Sequence, residues 1–144
     1  SKTVQPGDEL VRFEVDGITL GLATCYDIRF PHLHRQLAKA GASMIAIPAA
    51  FTAPTGEAHW ETLLRARAIE TGAFVLAPAQ GGLHEDGRRT WGRSTVVGPW
   101  GEIIAKADHD EPCIVTAKLD MEAVRRARAA VPALTHDRDF LPAS

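Results

Sequence analysis

Cys25 is the residue in this sequence with the clearest capacity for covalent chemistry. It closes the apolar run ITLGLAT at Ile18–Thr24, and Pro31 follows at the first turn of a predicted helix. A thiol at the end of a buried strand, just ahead of a helix, is held by that strand beside free backbone N–H groups. A thiolate there can attack a carbonyl carbon while the N–H groups meet the developing oxyanion. The same residue also reads as a small buried hydrophobe, the usual state of a free cysteine.

The elements that must position this thiol can be read in order. A polar lead-in covers Ser1–Asp8, with a turn at Pro6-Gly7. Glu9–Val15 alternates, and Asp16-Gly17 is a two-residue hairpin signal leading into the strand Ile18–Thr24. His32–Ala40 reads as a helix with Leu33 and Leu37 on one face and Gly41 as its stop. Met44–Pro48 is a short apolar strand of the buried kind. A loop at Thr52–Gly56 leads to a helix over Glu57–Thr71, with Trp60, Leu63, Leu64 and Ala68 inward. Gly72 ends it before the strand Ala73–Ala79.

The second half is patterned differently. GGLHEDGRR, from Gly81 to Arg89, is glycine-rich and charged, which predicts a mobile loop. Strands are expected at Ser94–Val97, Glu102–Ala107 and Cys113–Leu119, the first two joined by Pro99-Trp100-Gly101. Asp120 caps a predicted helix over Met121–Ala130, with Val124, Ala127 and Val131 on one side. Arg125, Arg126 and Arg128 complement its dipole, and Pro132–Ser144 is an irregular tail. Strands alternating with helices predict an α/β sheet with helices on one face.

Composition narrows the function classes. The 144 residues are 45% hydrophobic and 24% charged, ordinary for one packed α/β unit. A net charge of −2 with no basic stripe argues against nucleic acid. No apolar run approaches a membrane span and no signal peptide precedes the first strand. Two cysteines, Cys25 and Cys113, point to a reduced, cytoplasmic setting rather than a disulfide framework. His32 and His34 splay apart on a helix, while His84, His109 and His136 lie in loops or the tail, so no metal site is expected. There is no phosphate cradle with a P-loop lysine either.

CYDIRFP at Cys25–Pro31 resembles the cysteine signature of the nitrilase, or carbon–nitrogen hydrolase, superfamily. It is most similar to the amidase branch of the Nit proteins and ω-amidases. IPAAFTAPTGEAHWETLLRARAIETGAFVLAPAQ at Ile47–Gln80 and GRSTVVGPWGEII at Gly92–Ile104 extend the resemblance over nearly the whole chain. The resemblance implies a nitrilase-like α-β-β-α four-layer sandwich, of which residues 1–144 would be the C-terminal portion of one hydrolase domain. It also implies pairing of copies, helices against helices, into a homodimer or higher homo-oligomer, and no cofactor.

The family works with a Glu–Lys–Cys triad and a second, assisting Glu, all three partners lying upstream of the cysteine. None of Lys39, Lys106 and Lys118 matches the catalytic lysine, and Lys2 falls beyond the assisting Glu. The chain, opening at Ser1 without a Met, is therefore read as part of a longer protein, with only the nucleophile visible.

Further roles follow from the same resemblance. The backbone N–H of Tyr26 matches the oxyanion position, while its ring is read as packing. Arg29 would brace a carboxylate of substrate or protein, against the alternative of an internal salt bridge to Asp27 or Glu70. Ala50, Phe51 and Thr52 would line the pocket; unaided, Phe51 reads as core and Thr52 as the start of a loop. His59 reads as a satisfied structural residue, and Arg65, Arg67 and Glu70 as a structural ion-pair set. The expected function is an amidase that cleaves a small carboxamide, a dicarboxylate monoamide, through a cysteine thioester with release of ammonia. The alternatives are a nitrilase or carbamoyl-amide hydrolase, or an inactive form with a binding role.

Overall fold

Asp16 and Gly17 both take positive φ, 50° and 77°, the pair of left-handed residues that a tight primed hairpin turn requires. The turn joins β1 (Val11–Val15) to β2 (Ile18–Leu22), with Val15 opposite Ile18 and Val11 opposite Leu22. The computed structural model describes Gln5 and residues 7–140. The expected turn at Pro6-Gly7 and the placement of Lys2 lie outside those residues.

β2 runs parallel to β3 (Met44–Ala46), and β3 runs parallel to β4 (Phe74–Ala77). The crossovers are helical: α1 (Pro31–Lys39) between β2 and β3, and a long helical stretch between β3 and β4. Pro31 is the first residue of α1, where its missing N–H has no cost, and Gly41 at φ 100° lets the chain leave that helix. Antiparallel β7 (Thr95–Val97) and β8 (Ile103–Lys106) complete a six-stranded sheet in the order β1-β2-β3-β4-β7-β8.

Register assigns the two faces. Gly21, Ile45, Val75 and Val97 lie side by side across four strands. A Cβ on Gly21 would stand 3.2 Å from Leu37, so this row faces the helices. Ile45, Val75 and Val97 are fully buried there with Leu37, Trp60, Leu64 and Ala68. Each such aliphatic side chain contributes about 1.5–3 kcal/mol. The opposite rows, Val11-Leu22-Ala46-Leu76-Val96 and Phe13-Leu20-Met44-Phe74, are equally apolar. Phe74 and Val96 are buried in these rows, whereas Val11 is 53% exposed and Phe13 44%.

Four expectations are corrected. Thr52–Gly56 is not a loop: α2 (Ala53–Thr55) passes through a π-helical turn at Gly56–Trp60 into α3 (Glu61–Thr71). Pro54 fits the first turn of a helix, where no N–H is needed. Gly81–Arg89 is not one mobile loop. Its ends build a hairpin of β5 (Gly81–Leu83) and β6 (Arg89–Trp91), in which backbone at Gly81 and Gly92 approaches too closely for a Cβ.

Cys113–Leu119 forms no strand ladder among the described residues. Its alternation is real, with Cys113, Val115, Ala117 and Leu119 lining a groove beside Leu76 and Val96 while Ile114 is 91% exposed. Alternation places side chains, but a strand also needs a neighbour's N–H and C=O groups. Finally, Val131 is exposed because α4 (Glu122–Ala130) ends before it, leaving Val124 and Ala127 as the buried pair.

Met121, not Asp120, stands at the N-cap of α4; Asp120, one residue earlier, accepts the N–H of Glu122 at 3.1 Å. The three arginines, however, reach other partners than the last carbonyls of their own helix. Arg125 pairs with Glu122 and Arg126 with Asp120, while Arg128 crosses to the carbonyls of Thr71 at 3.1 Å and Ala42 at 2.7 Å. In the tail, Asp137 pairs with Arg35 and Lys39 of α1.

Candidate active site

The three parallel strands end on the same side of the sheet. Their outgoing segments, Thr24-Cys25, Pro48-Ala49-Ala50 and Pro78-Ala79-Gln80, line one open depression together with Ser94. This is the carboxyl end of a parallel sheet, where α/β proteins gather their ligands. Cys25 sits in it half-buried, packed against the core cluster that includes Phe51. Gln80 and Ser94 were not singled out from sequence; each falls at a strand boundary, where neither residue type signals a pocket.

The turn carrying Cys25 was not anticipated. Cys25–Arg29 forms a 3-10 helix after β2, and Cys25 itself takes φ 48°. A left-handed conformation costs a residue with a Cβ about 1–2 kcal/mol, so other contacts must impose it. Those contacts are visible. Cys25 N–H donates to the Pro48 carbonyl at 2.8 Å, and Asp27 Oδ2 accepts Thr24 N–H at 2.8 Å. Arg67, buried on α3, donates from Nε to the Ile28 carbonyl at 2.7 Å. His34, buried on α1, contacts the Phe30 carbonyl through Nδ1 at 3.0 Å. Burial pushes the His34 pKa below its usual value, so the neutral ring donates Nδ1–H and leaves Nε2 without a partner among the described residues.

Tyr26 N–H donates to no described residue and stands next to the sulfur-bearing position. The Tyr26 ring, read as packing, lies edge-on to Phe30 at 5.7 Å and is 64% exposed. Arg29 takes neither of its expected internal partners, because Asp27 holds Thr24 and Glu70 pairs with Arg67 at 2.7 Å. Its guanidinium lies 5.5 Å from the Tyr26 ring centre and 5.3 Å from that of Phe51. Both of its terminal nitrogens lie 3.4 Å from His59 Nδ1.

The remaining candidates divide. Ala50 shares the depression with Cys25. Phe51 is buried against Trp60, ring centres 4.9 Å apart, and presents a face to Arg29, so it is core and site at once. Thr52 is exposed at the start of α2, its hydroxyl 2.8 Å from that of Thr55. Arg67 and Glu70 are the expected ion pair, whereas Arg65 donates instead to the Gly101 carbonyl at 2.8 Å. His59 is exposed, not on an apolar side, while its neighbour Trp60 is buried.

Among the described residues no group of His, Cys, Asp and Glu is placed to hold a metal ion, and no helix is long and apolar enough to cross a membrane. No acid or lysine is among the residues lining the Cys25 depression.

A mixed sheet whose parallel strands deliver a strained cysteine to their carboxyl ends defines an α/β protein that presents a thiol where such sheets gather ligands. The chain belongs to the carbon-nitrogen hydrolase family, whose model matches residues 1–129. It is 45% identical over 138 residues to the deaminated glutathione amidase of Yersinia enterocolitica, covering 96% of this chain and 48% of that protein. Saccharomyces cerevisiae Nit3, a member of branch 10 of the nitrilase superfamily, superposes with a TM-score of 0.88 at 35% identity, over 97% of this chain and 51% of Nit3. A mutant amidase from Nesterenkonia sp. AN1, whose active site cysteine carries a Michael adduct of acrylamide, matches with a TM-score of 0.72 at 29% identity, over 90% of this chain and 50% of that one. The chain thus spans about half the length of these relatives.

Proposed function

We propose that the protein containing this chain is an amidase that hydrolyses the carboxamide of a small dicarboxylate monoamide. The observation that carries the reading is the left-handed Cys25 at the mouth of the depression, with the unpartnered N–H of Tyr26 beside it. The likeness to an amidase whose active site cysteine reacts with acrylamide supports it.

The Cys25 thiolate attacks the amide carbon, and the oxyanion is met by Tyr26 N–H. Collapse breaks the C–N bond and the amine leaves, protonated, as ammonia. Water then attacks the thioester, releasing the carboxylic acid and returning the thiol. A Glu moves the protons and a Lys shares the oxyanion; both, with the assisting Glu, come from the part of the protein outside these 144 residues. Arg29 takes the substrate's carboxylate, Ala50 and Phe51 form the wall, and Thr52 sits at its rim. No cofactor takes part, and the partner is the small-molecule amide. We place the protein in the cytoplasm as a homodimer or larger homo-oligomer, on the family resemblance.

The test is ammonia release from glutaramate by the complete protein, beside Cys25→Ala. Release that vanishes in Cys25→Ala, with a mass increase on Cys25 trapped by acid quench, is the expected result. Release that survives the substitution overturns the reading. Carbon dioxide appearing with ammonia from an N-carbamoyl substrate, and none from glutaramate, assigns the carbamoyl chemistry instead.

A further inference from the structure

His59 stands outside every role assigned so far, yet it is the polar contact of the Arg29 guanidinium. Both Nη atoms lie 3.4 Å from the same ring nitrogen, Nδ1. A guanidinium has only donors, so Nδ1 accepts and the proton of the neutral ring sits on Nε2. The rings of Tyr26 and Phe51 hold the cation from its faces. Neither the aromatic faces nor a neutral imidazole cancels the charge. The nearby carboxylates are engaged elsewhere, Asp27 with Thr24 N–H and Glu70 with Arg67.

That arrangement differs from an ordinary structural arginine. Arg67, buried on α3, pairs with Glu70 and donates from Nε to the Ile28 carbonyl. Arg29 is aimed but left cationic. An acidic residue at position 59 would aim it equally well, and would compete with any incoming anion.

We infer that His59 is a positioning residue for anion recognition: it orients Arg29 through Nδ1 while leaving the guanidinium charge for a substrate carboxylate. The inference rests on the amidase reading for its substrate, but not for its binding test. His59 stands on the π turn Gly56–Trp60, one residue before the buried Trp60.

Three variants of the complete protein separate the possibilities. His59→Asn offers an acceptor oxygen in place of Nδ1, His59→Leu offers none, and His59→Glu neutralises Arg29. Steady-state rates on glutaramate and on neutral pentanamide are compared, and glutarate binding is measured by calorimetry. His59→Leu and His59→Glu should raise KM for glutaramate about tenfold, as for one lost charge-assisted hydrogen bond, with kcat within about twofold. Pentanamide kinetics should stay within the same twofold, and His59→Asn should restore glutaramate. Equal losses on both amides, or an Asn variant as poor as Leu, overturn the inference. If the wild type cleaves neither amide, the amidase reading falls and calorimetry decides. Glutarate binding that weakens in Leu and Glu and returns in Asn supports His59; unchanged binding, or none to the wild type, overturns it.

Discussion

Arg67 Nε donates to the carbonyl of Ile28 across 2.7 Å, joining α3 to the middle of the turn that carries Cys25. The same side chain pairs with Glu70 at 2.7 Å. Lysine keeps the charge but cannot present two directed donors in a planar fork. Arg67→Lys should therefore lower stability by about 2 kcal/mol in urea unfolding, the cost of a buried carbonyl left unpaired. Turnover should fall with it as the turn loosens. A variant of unchanged stability would show that the Ile28 contact carries no weight.

The buried neutral His34 gives a pH dependence whose sign is fixed. Burial lowers its folded pKa below the usual 6.5, the Arg67 charge acts in the same direction, and the Phe30 carbonyl and Asp27 act against them. The unfolded chain thus binds the proton more readily, so the stability contribution is complete above 6.5 and is lost as pH falls towards the folded value. The urea midpoint should drop between pH 7 and pH 5.5, and less so in His34→Gln, which does not titrate. The Asp137 carboxyl, held low by Lys39 and Arg35, makes its loss below 3.8 and does not confuse this window.

Gly56 is a packing requirement. A Cβ there would lie 2.2 Å from Trp91 Cβ on β6, where neither helix nor hairpin can yield cheaply. Gly56→Ala should cost about 1–3 kcal/mol, the usual penalty of overpacking. Combined with Trp91→Gly, the two losses should be clearly less than additive, because the second change removes the Cβ that the new methyl would strike. Strict additivity in denaturant unfolding would refute the contact.

The φ of 48° at Cys25 sets the site against the fold. Glycine accepts that conformation freely, whereas alanine does not. Cys25→Gly should be about 1 kcal/mol more stable than Cys25→Ala by thermal unfolding, with both inactive on glutaramate. Equal stability would mean that Cys25 is unstrained.

Much of the scaffold was readable because local rules and tertiary packing agree there. The Asp16-Gly17 turn, Pro31 opening α1, and Gly41 and Gly72 closing helices all follow from backbone preferences within a few residues. The alternation at 113–119 misled because it reports side-chain placement and says nothing of a pairing partner. The hairpin at β5 and β6 was hidden by its glycines, which there permit close backbone approach rather than disorder. At the site, Cys25 and Arg29 stood out by type and setting. The contact of His59 with Arg29 did not, since it joins residues 30 apart in the chain and leaves no mark in an apolar pattern.

The contacts that grip the Cys25 turn end on main-chain atoms: the carbonyls of Pro48, Ile28 and Phe30, and the N–H of Thr24. The gripping residues therefore do not read the side chains at 26 and 29, which project outward. Geometry is inherited from the scaffold, while those two positions are open to drift. A lineage carrying this turn could retune the substrate it accepts by single substitutions, without rebuilding the nucleophile.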